Sequence, residues 1–181
     1  GSASARPQAL APCGPRPSLR LVVRGWTLLF HPAIAGQLTT LAAASQRARK
    51  ADPKNFQSNA NVKVLSAVTK LMLDVIPSDP SRVEYRQGST LGRDYRHWFR
   101  AKFFRRFRLF FRYDSQSRTI VYAWVNDEQT LPQSGSKRDP YEVFGRMLAS
   151  GNPPNDWISL VKSSRDLPSE ILPIITGPKE R

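Results

Sequence analysis

Two adjoining runs of alternating residues constrain this chain more than any other feature. Residues 98–103 read WFRAKF, and a strand sends successive side chains to opposite faces. Phe99, Ala101 and Phe103 then share one face, with Trp98, Arg100 and Lys102 on the other. Residues 104–113 read FRRFRLFFRY, with Arg105, Phe107, Leu109, Phe111 and Tyr113 at odd positions. Phe104, Arg106, Arg108, Phe110 and Arg112 occupy the even ones. A turn at Asp114 to Ser117 leads into TIVYAWVN at 119–126, which is apolar on both sides and so predicts a central strand. Strands this closely spaced imply an antiparallel meander, and its apolar face needs helices to cover it.

The helices precede it. GWTLLF at 25–30 predicts a first strand, and Pro32 then opens a helix over Ala33 to Lys50 with Ile34, Leu38, Leu41 and Ser45 on one stripe. Asp52 and Pro53 break it, and a second helix from Asn55 to Val75 places Leu65, Val68, Met72 and Val75 on one side. The fold class is therefore α+β, an antiparallel sheet packed against an N-terminal helical hairpin, with C-terminal helices. With 181 residues, 40% of them hydrophobic, the chain suits one domain, expected over 20–163. Residues 1–19 and 164–181, rich in proline, read as tails, although Ile171, Leu172, Ile174 and Ile175 offer an apolar docking segment.

Twenty-eight Lys and Arg against 14 Asp and Glu give a formal charge of +14, which implies a polyanionic partner. Nucleic acid, an acidic protein and an anionic membrane surface all satisfy that arithmetic. The single cysteine, Cys13, excludes an internal disulfide or a thiolate metal site. The longest apolar run, Leu71 to Ile76, is interrupted by Asp74 and is too short to span a bilayer; the cytoplasm is the expected compartment, with no membrane partner.

The charge is concentrated. Eight basic residues and one acid lie between Arg93 and Arg112. Arg100, Lys102, Arg106, Arg108 and Arg112 are expected to gather on one exposed sheet face, where phosphate is the natural counterion. Trp98 and Phe110, predicted on that same face, offer rings for unpaired bases, which favours single-stranded RNA. The same alternation also suits a soluble sheet that discourages edge pairing, although planar guanidinium matches phosphate better than a solvated amine does.

The strings KFFRRFRLFFRY, YAWVNDEQTL, SGSKRDPYEVFGRML and SGNPPNDW, in this order after a GW strand and two helices, resemble the YhaV toxins of bacterial toxin–antitoxin operons, within the RelE/ParE superfamily. The resemblance covers roughly Val23 to Lys162. It implies a RelE-like fold and endonucleolytic cleavage of messenger RNA, free or on the ribosome, without metal or cofactor. In such ribonucleases the ribose 2′-hydroxyl attacks the adjacent phosphate. Arg100 and Lys102 match the basic pair on the family's second strand, Arg108 the arginine of the next, and Lys137 with Arg138 a later basic element. Arg108 and Arg138 would stabilise the charge on phosphorus, and Lys102, crowded by guanidiniums, is the expected general base. Where the RelE pattern has a catalytic tyrosine this chain has Phe144, with Tyr141 three residues earlier on nearly the same helix face. Tyr141 is thus either the acid or an aromatic that docks the helix. Trp98, Arg105, Arg106, Arg112 and Lys137 complete the expected RNA-binding set.

The resemblance also implies an antitoxin of PrlF type, with an AbrB-like fold, and operator DNA bound only through the complex. Competing readings are a non-catalytic inhibitor, as in the ParE branch, and a purely nucleic-acid-binding component. His97, at an odd position beside the basic strand, is a weaker acid–base candidate, and His31 reads as a turn residue. Asp127 and Glu128 read as a turn rather than a metal site.

Overall fold

A computed structural model describes residues 20–126, 139–169 and 171–176. Residues 1–19, Asp127, Glu128, Lys137, Arg138 and the end of the chain from 177 lie outside the described residues.

Five strands form one sheet: β1 (Leu21–Val23), β2 (Trp26–Phe30), β3 (Phe99–Phe103), β4 (Phe107–Asp114) and β5 (Thr119–Val125), in the order β1-β2-β5-β4-β3. The β3-β4-β5 meander is antiparallel, as the alternation predicts. The sheet as a whole is mixed, which corrects the antiparallel expectation. β2 lies parallel to β5, with Thr27 opposite Thr119 and Phe30 opposite Tyr122. A parallel pair needs a long crossover, and here residues 31–118, the helices followed by β3 and β4, make it. Turn spacing along the sequence carries no information about where the first strand docks. β1 was too short to show periodicity, and joins β2 through Arg24 and Gly25, both at positive φ (51° and 83°), as a two-residue hairpin turn demands.

Helix α1 (Pro32–Ala51) starts at His31, whose Nδ1 accepts from the Ala33 N–H at 3.2 Å. It buries Ile34, Leu38, Ala42 and Ser45, so Ala42 occupies the core position expected for Leu41. Gln37 caps the free end of the central strand, its Nε2 donating to Val125 O at 2.5 Å and its Oε1 accepting from Val125 N at 3.2 Å. After a short turn at Phe56–Ser58, Asn59 caps α2 (Ala60–Lys70), which runs through a π-helical turn at Leu71–Val75 into the short α3 (Ile76–Ser78). That wider turn rotates the apolar stripe, so Ile76 rather than Val75 completes the buried row of Leu65, Val68 and Met72. The buried Tyr122 hydroxyl donates to Met72 O at 2.6 Å and fixes the helix over the sheet.

The other face is not open, contrary to expectation. α4 (Pro140–Ala149) and α5 (Trp157–Ser163) cover its middle, forming a second core of Trp98, Phe110, Val121, Trp124, Phe144, Leu148 and Leu160. Phe144 stacks on Phe110 at 4.3 Å and on Trp124 at 5.8 Å. The cause is legible in hindsight: Phe110, Val121 and Ala123 put an apolar centre into the even face, and Phe144 with Leu148, one helical turn apart, match it. The C-terminal stretch docks as well. Arg165 exchanges both backbone hydrogen bonds with Phe30 (2.8 and 2.9 Å), and Leu167, Ile171 and Ile175, the last on α6 (Leu172–Thr176), enter the first core.

Candidate active site

With the middle of the even face covered, the cationic residues are left at its rim, where β3 is the edge strand. Arg100 and Lys102 project there two residues apart, about 7 Å along the strand. Opposite them on β4 lie Phe110 and Arg108. α4 brings the remaining group. Asp139 caps that helix by accepting from Tyr141 N at 3.0 Å, and Pro140 stands at its first position, so Tyr141 is held in the first turn. Its ring packs edge-on against Phe110 at 5.7 Å, and Phe110 is the cross-strand neighbour of Arg100. The phenol therefore meets the guanidinium: Arg100 Nε donates to Tyr141 Oη at 2.6 Å, and Arg100 Nη1 donates to Glu84 O at 2.7 Å. Arg100 is fixed by two neutral acceptors.

No carboxylate neutralises the rim among the described residues. Their ion pairs are Arg24–Asp74, Arg82–Glu84 and Arg146–Glu142. Lys102, Arg105 and Arg106 are exposed, and Arg100 and Arg108 are half-buried. Arg108 turns back along its own hairpin, with Nη1 donating to Arg105 O at 3.0 Å and Phe107 O at 2.9 Å. A separate groove of about 620 Å3 lies beside α1 and α2, among Ala33, Gly36, Leu41, Val64, Phe107 and Val125. Its described lining carries no charge, so it does not match phosphate.

Three residues expected at the RNA surface are placed elsewhere. Trp98 has no exposed surface; its Nε1 donates to Asn155 Oδ1 at 3.0 Å and its ring meets Phe144 edge-on at 5.1 Å, so it cannot stack on a base. It lies on the even face, as alternation predicts, but beneath α4, which alternation does not reveal. Phe110 is likewise buried. Arg112 lies between the rings of Trp98 (5.6 Å) and Trp157 (5.3 Å) and donates to Asn155 O at 2.5 Å. Burial pulls its ionisation below the ordinary arginine value, although nearby Asp156 opposes this. It is a packing cation of the second core. His97 Nε2 donates to the same Asn155 Oδ1 at 2.6 Å, and burial holds its imidazole below the ordinary value. Among the described residues no three His, Cys, Asp or Glu side chains gather as a ligand set.

Residues 28–165 match the family described as a toxin with endonuclease activity, of a toxin–antitoxin system. The chain belongs to the YhaV toxin family. Relatives agree: Toxin YhaV of Escherichia coli O6:H1 is 39% identical over 146 residues, covering 80% of this chain and 95% of that protein. Ribonuclease toxin YhaV of Escherichia coli K12 is 38% identical over the same shares. No solved structure matches the chain. As a YhaV-family member the chain is a toxin with endonuclease activity, and no described helix is long and apolar enough to cross a membrane.

Sequence reasoning missed three residues at or beside this candidate rim. The Glu84 carbonyl anchors Arg100 from a segment without strand or helix signal. Asn126, with no exposed surface, accepts from Arg108 N at 2.6 Å and donates to Arg106 O at 2.7 Å. Phe104 stands in a turn that the alternation had counted as strand.

Proposed function

We propose that this chain is a ribonuclease that cleaves messenger RNA at the β3 rim by attack of the ribose 2′-hydroxyl on the adjacent phosphate, with no metal taking part. The 2′-oxygen bonds to phosphorus as the bond to the 5′-oxygen breaks, leaving a 2′,3′-cyclic phosphate and a 5′-hydroxyl. The 2′-hydroxyl proton passes to a base, for which Lys102 is the candidate on this face. Arg100, with Arg138 from outside the described residues, stabilises the added charge on the phosphate oxygens; each such contact is worth about 100-fold to 1000-fold in rate. Tyr141 supplies the proton to the departing 5′-oxygen. Its oxygen accepts from Arg100, so its own hydrogen is left to donate.

The observation that carries this reading is the Arg100–Tyr141 contact: a phenol and a guanidinium from different layers of the fold, joined at 2.6 Å on a rim without a neutralising carboxylate among the described residues. The name of the K12 relative, a ribonuclease toxin, supports the choice of substrate. The β3-β4-β5 meander with its basic rim supports a RelE-like assignment for the fold, and the excess of positive charge supports an antitoxin, proposed to be of PrlF type, that masks the rim and carries the complex to operator DNA.

The test is RNA cleavage by purified protein, with and without ribosomes, for the parent and Arg100→Ala. Cleavage that falls by about 100-fold or more in the variant is expected. Equal cleavage by both proteins, or none by the parent under either condition, refutes the reading.

A further inference from the structure

Phe104, Arg105 and Arg106 join β3 to β4, between the paired Phe103 and Phe107. Phe104 and Arg105 both take positive φ, 47° and 59°. That region crowds a side chain against its own backbone, and glycine or asparagine occupies it at lower cost. The turn is held in place from outside. Asn126 Nδ2 donates to Arg106 O at 2.7 Å while its Oδ1 accepts from Arg108 N at 2.6 Å, and Arg108 Nη1 holds the carbonyls of Arg105 and Phe107. Bulky residues in a strained turn, secured by a buried amide, keep their side chains in one pose; strain maintained by its surroundings is a mark of functional positions.

What the turn presents is an aromatic ring between cations. Phe104 is 54% exposed, propped by Phe103 at 5.7 Å between ring centres, and Arg105 and Arg106 are exposed without ion-pair partners among the described residues. The other exposed large apolar side chains of the described residues, Val22, Val83 and Ile158, stand on other elements, so Phe104 does not belong to an apolar docking patch. A lone ring flanked by guanidiniums suits an unpaired base with its phosphates. The tip continues the strand that carries Arg100 and Lys102, and four residues of extended chain put it about 13 Å from Arg100, a few nucleotides from the phosphate being cut.

We propose that this tip is a base-binding subsite for single-stranded RNA, in which Phe104 stacks on an unpaired base and Arg105 and Arg106 grip the phosphates beside it. Arg108 and Asn126 are positioning residues for this subsite. The proposal rests on the ribonuclease reading for its ligand.

The experiment measures binding of a short single-stranded RNA, made uncleavable by 2′-O-methyl groups, to the full chain by fluorescence anisotropy. Phe104→Ala is expected to bind about 10-fold or more weakly, and Phe104→Trp to keep the parent affinity. Phe104→Gly should bind as weakly as the alanine variant yet melt at a higher temperature, because glycine relieves the strain; a ring serving only the fold would show the opposite. Removing single bases in turn should weaken parent binding at one position, and leave Phe104→Ala indifferent there. Parent-like affinity and the same abasic profile in Phe104→Ala would overturn the proposal. Unchanged RNA affinity with lost binding of the cognate antitoxin would overturn it too, assigning the tip to the protein partner. A parent that binds this RNA but leaves its 2′-hydroxyl form intact would sink the ribonuclease reading alone, and a parent that binds no RNA would sink both.

Discussion

Replacing Tyr141 by phenylalanine removes one oxygen and leaves the rest of the site in place. The ring still packs edge-on against Phe110, and Asp139 still caps the helix through the backbone N–H of residue 141. The loss is the 2.6 Å hydrogen bond from Arg100 Nε and the proton that the phenol carries. Arg100 keeps its bond to Glu84 O and is half-exposed, so water replaces the lost acceptor and stability should change by no more than about 1 kcal/mol. If the phenol protonates the departing 5′-oxygen, the rate should fall by about 100-fold to 10,000-fold, the usual worth of a general acid. That corresponds to about 3–5 kcal/mol on the barrier. The assay is single-turnover cleavage of a short RNA, compared with the same RNA carrying sulfur in place of the bridging 5′-oxygen. A thiolate leaves without protonation, so the variant should cut the sulfur substrate nearly as fast as the parent does. Parent-like cleavage of the oxygen substrate, or an equal defect on both substrates, would refute the assignment of Tyr141 as acid.

Other outcomes follow from the same geometry. Lys102→Arg should retain most activity if Lys102 serves only as a cation, and should fail like Lys102→Ala if it accepts the 2′-hydroxyl proton; base participation implies the second result in single-turnover rates. Arg112→Met should cost about 2–4 kcal/mol in urea unfolding, because two ring contacts and a charged hydrogen bond to Asn155 O disappear. The folded variant should still cut RNA, and a selective loss of cleavage at full stability would return Arg112 to the site. His31 and His97 both have folded-state ionisation held below the ordinary imidazole value of 6.5, chiefly by burial. The unfolded chain then takes up protons first as pH falls, so their contribution is complete above about pH 7 and is lost through the acid side of 6.5. Urea midpoints should drop between pH 7 and pH 5, and His31→Asn, which keeps a capping acceptor, should flatten that slope; an unchanged slope would contradict it.

The sequence carried the meander, the two N-terminal helices and the Arg100–Lys102 pair, because period-two and helical patterns record which side of an element faces apolar neighbours. It did not carry what lies over the even face. Phe110 and Trp98 look like stacking platforms until Phe144 is seen to cover them. The tip at 104–106 was equally hidden, since no Gly, Asn or Pro marks the turn. The positive φ values are imposed by Asn126 and Arg108, side chains that hold the turn through its carbonyls. Tyr141 was placed one helical turn from Phe144 by spacing, and only packing separates the buried ring from the one that reaches Arg100.

A single atom of the substrate tests the proposed chemistry most directly. RNA in which the nucleotide at the cut carries hydrogen instead of its 2′-hydroxyl should bind normally and stay uncut, while the unmodified strand yields 2′,3′-cyclic phosphate ends. Cleavage of the deoxy-substituted strand at the parent rate, or products ending in a 3′-hydroxyl, would mean that the β3 rim works by another reaction.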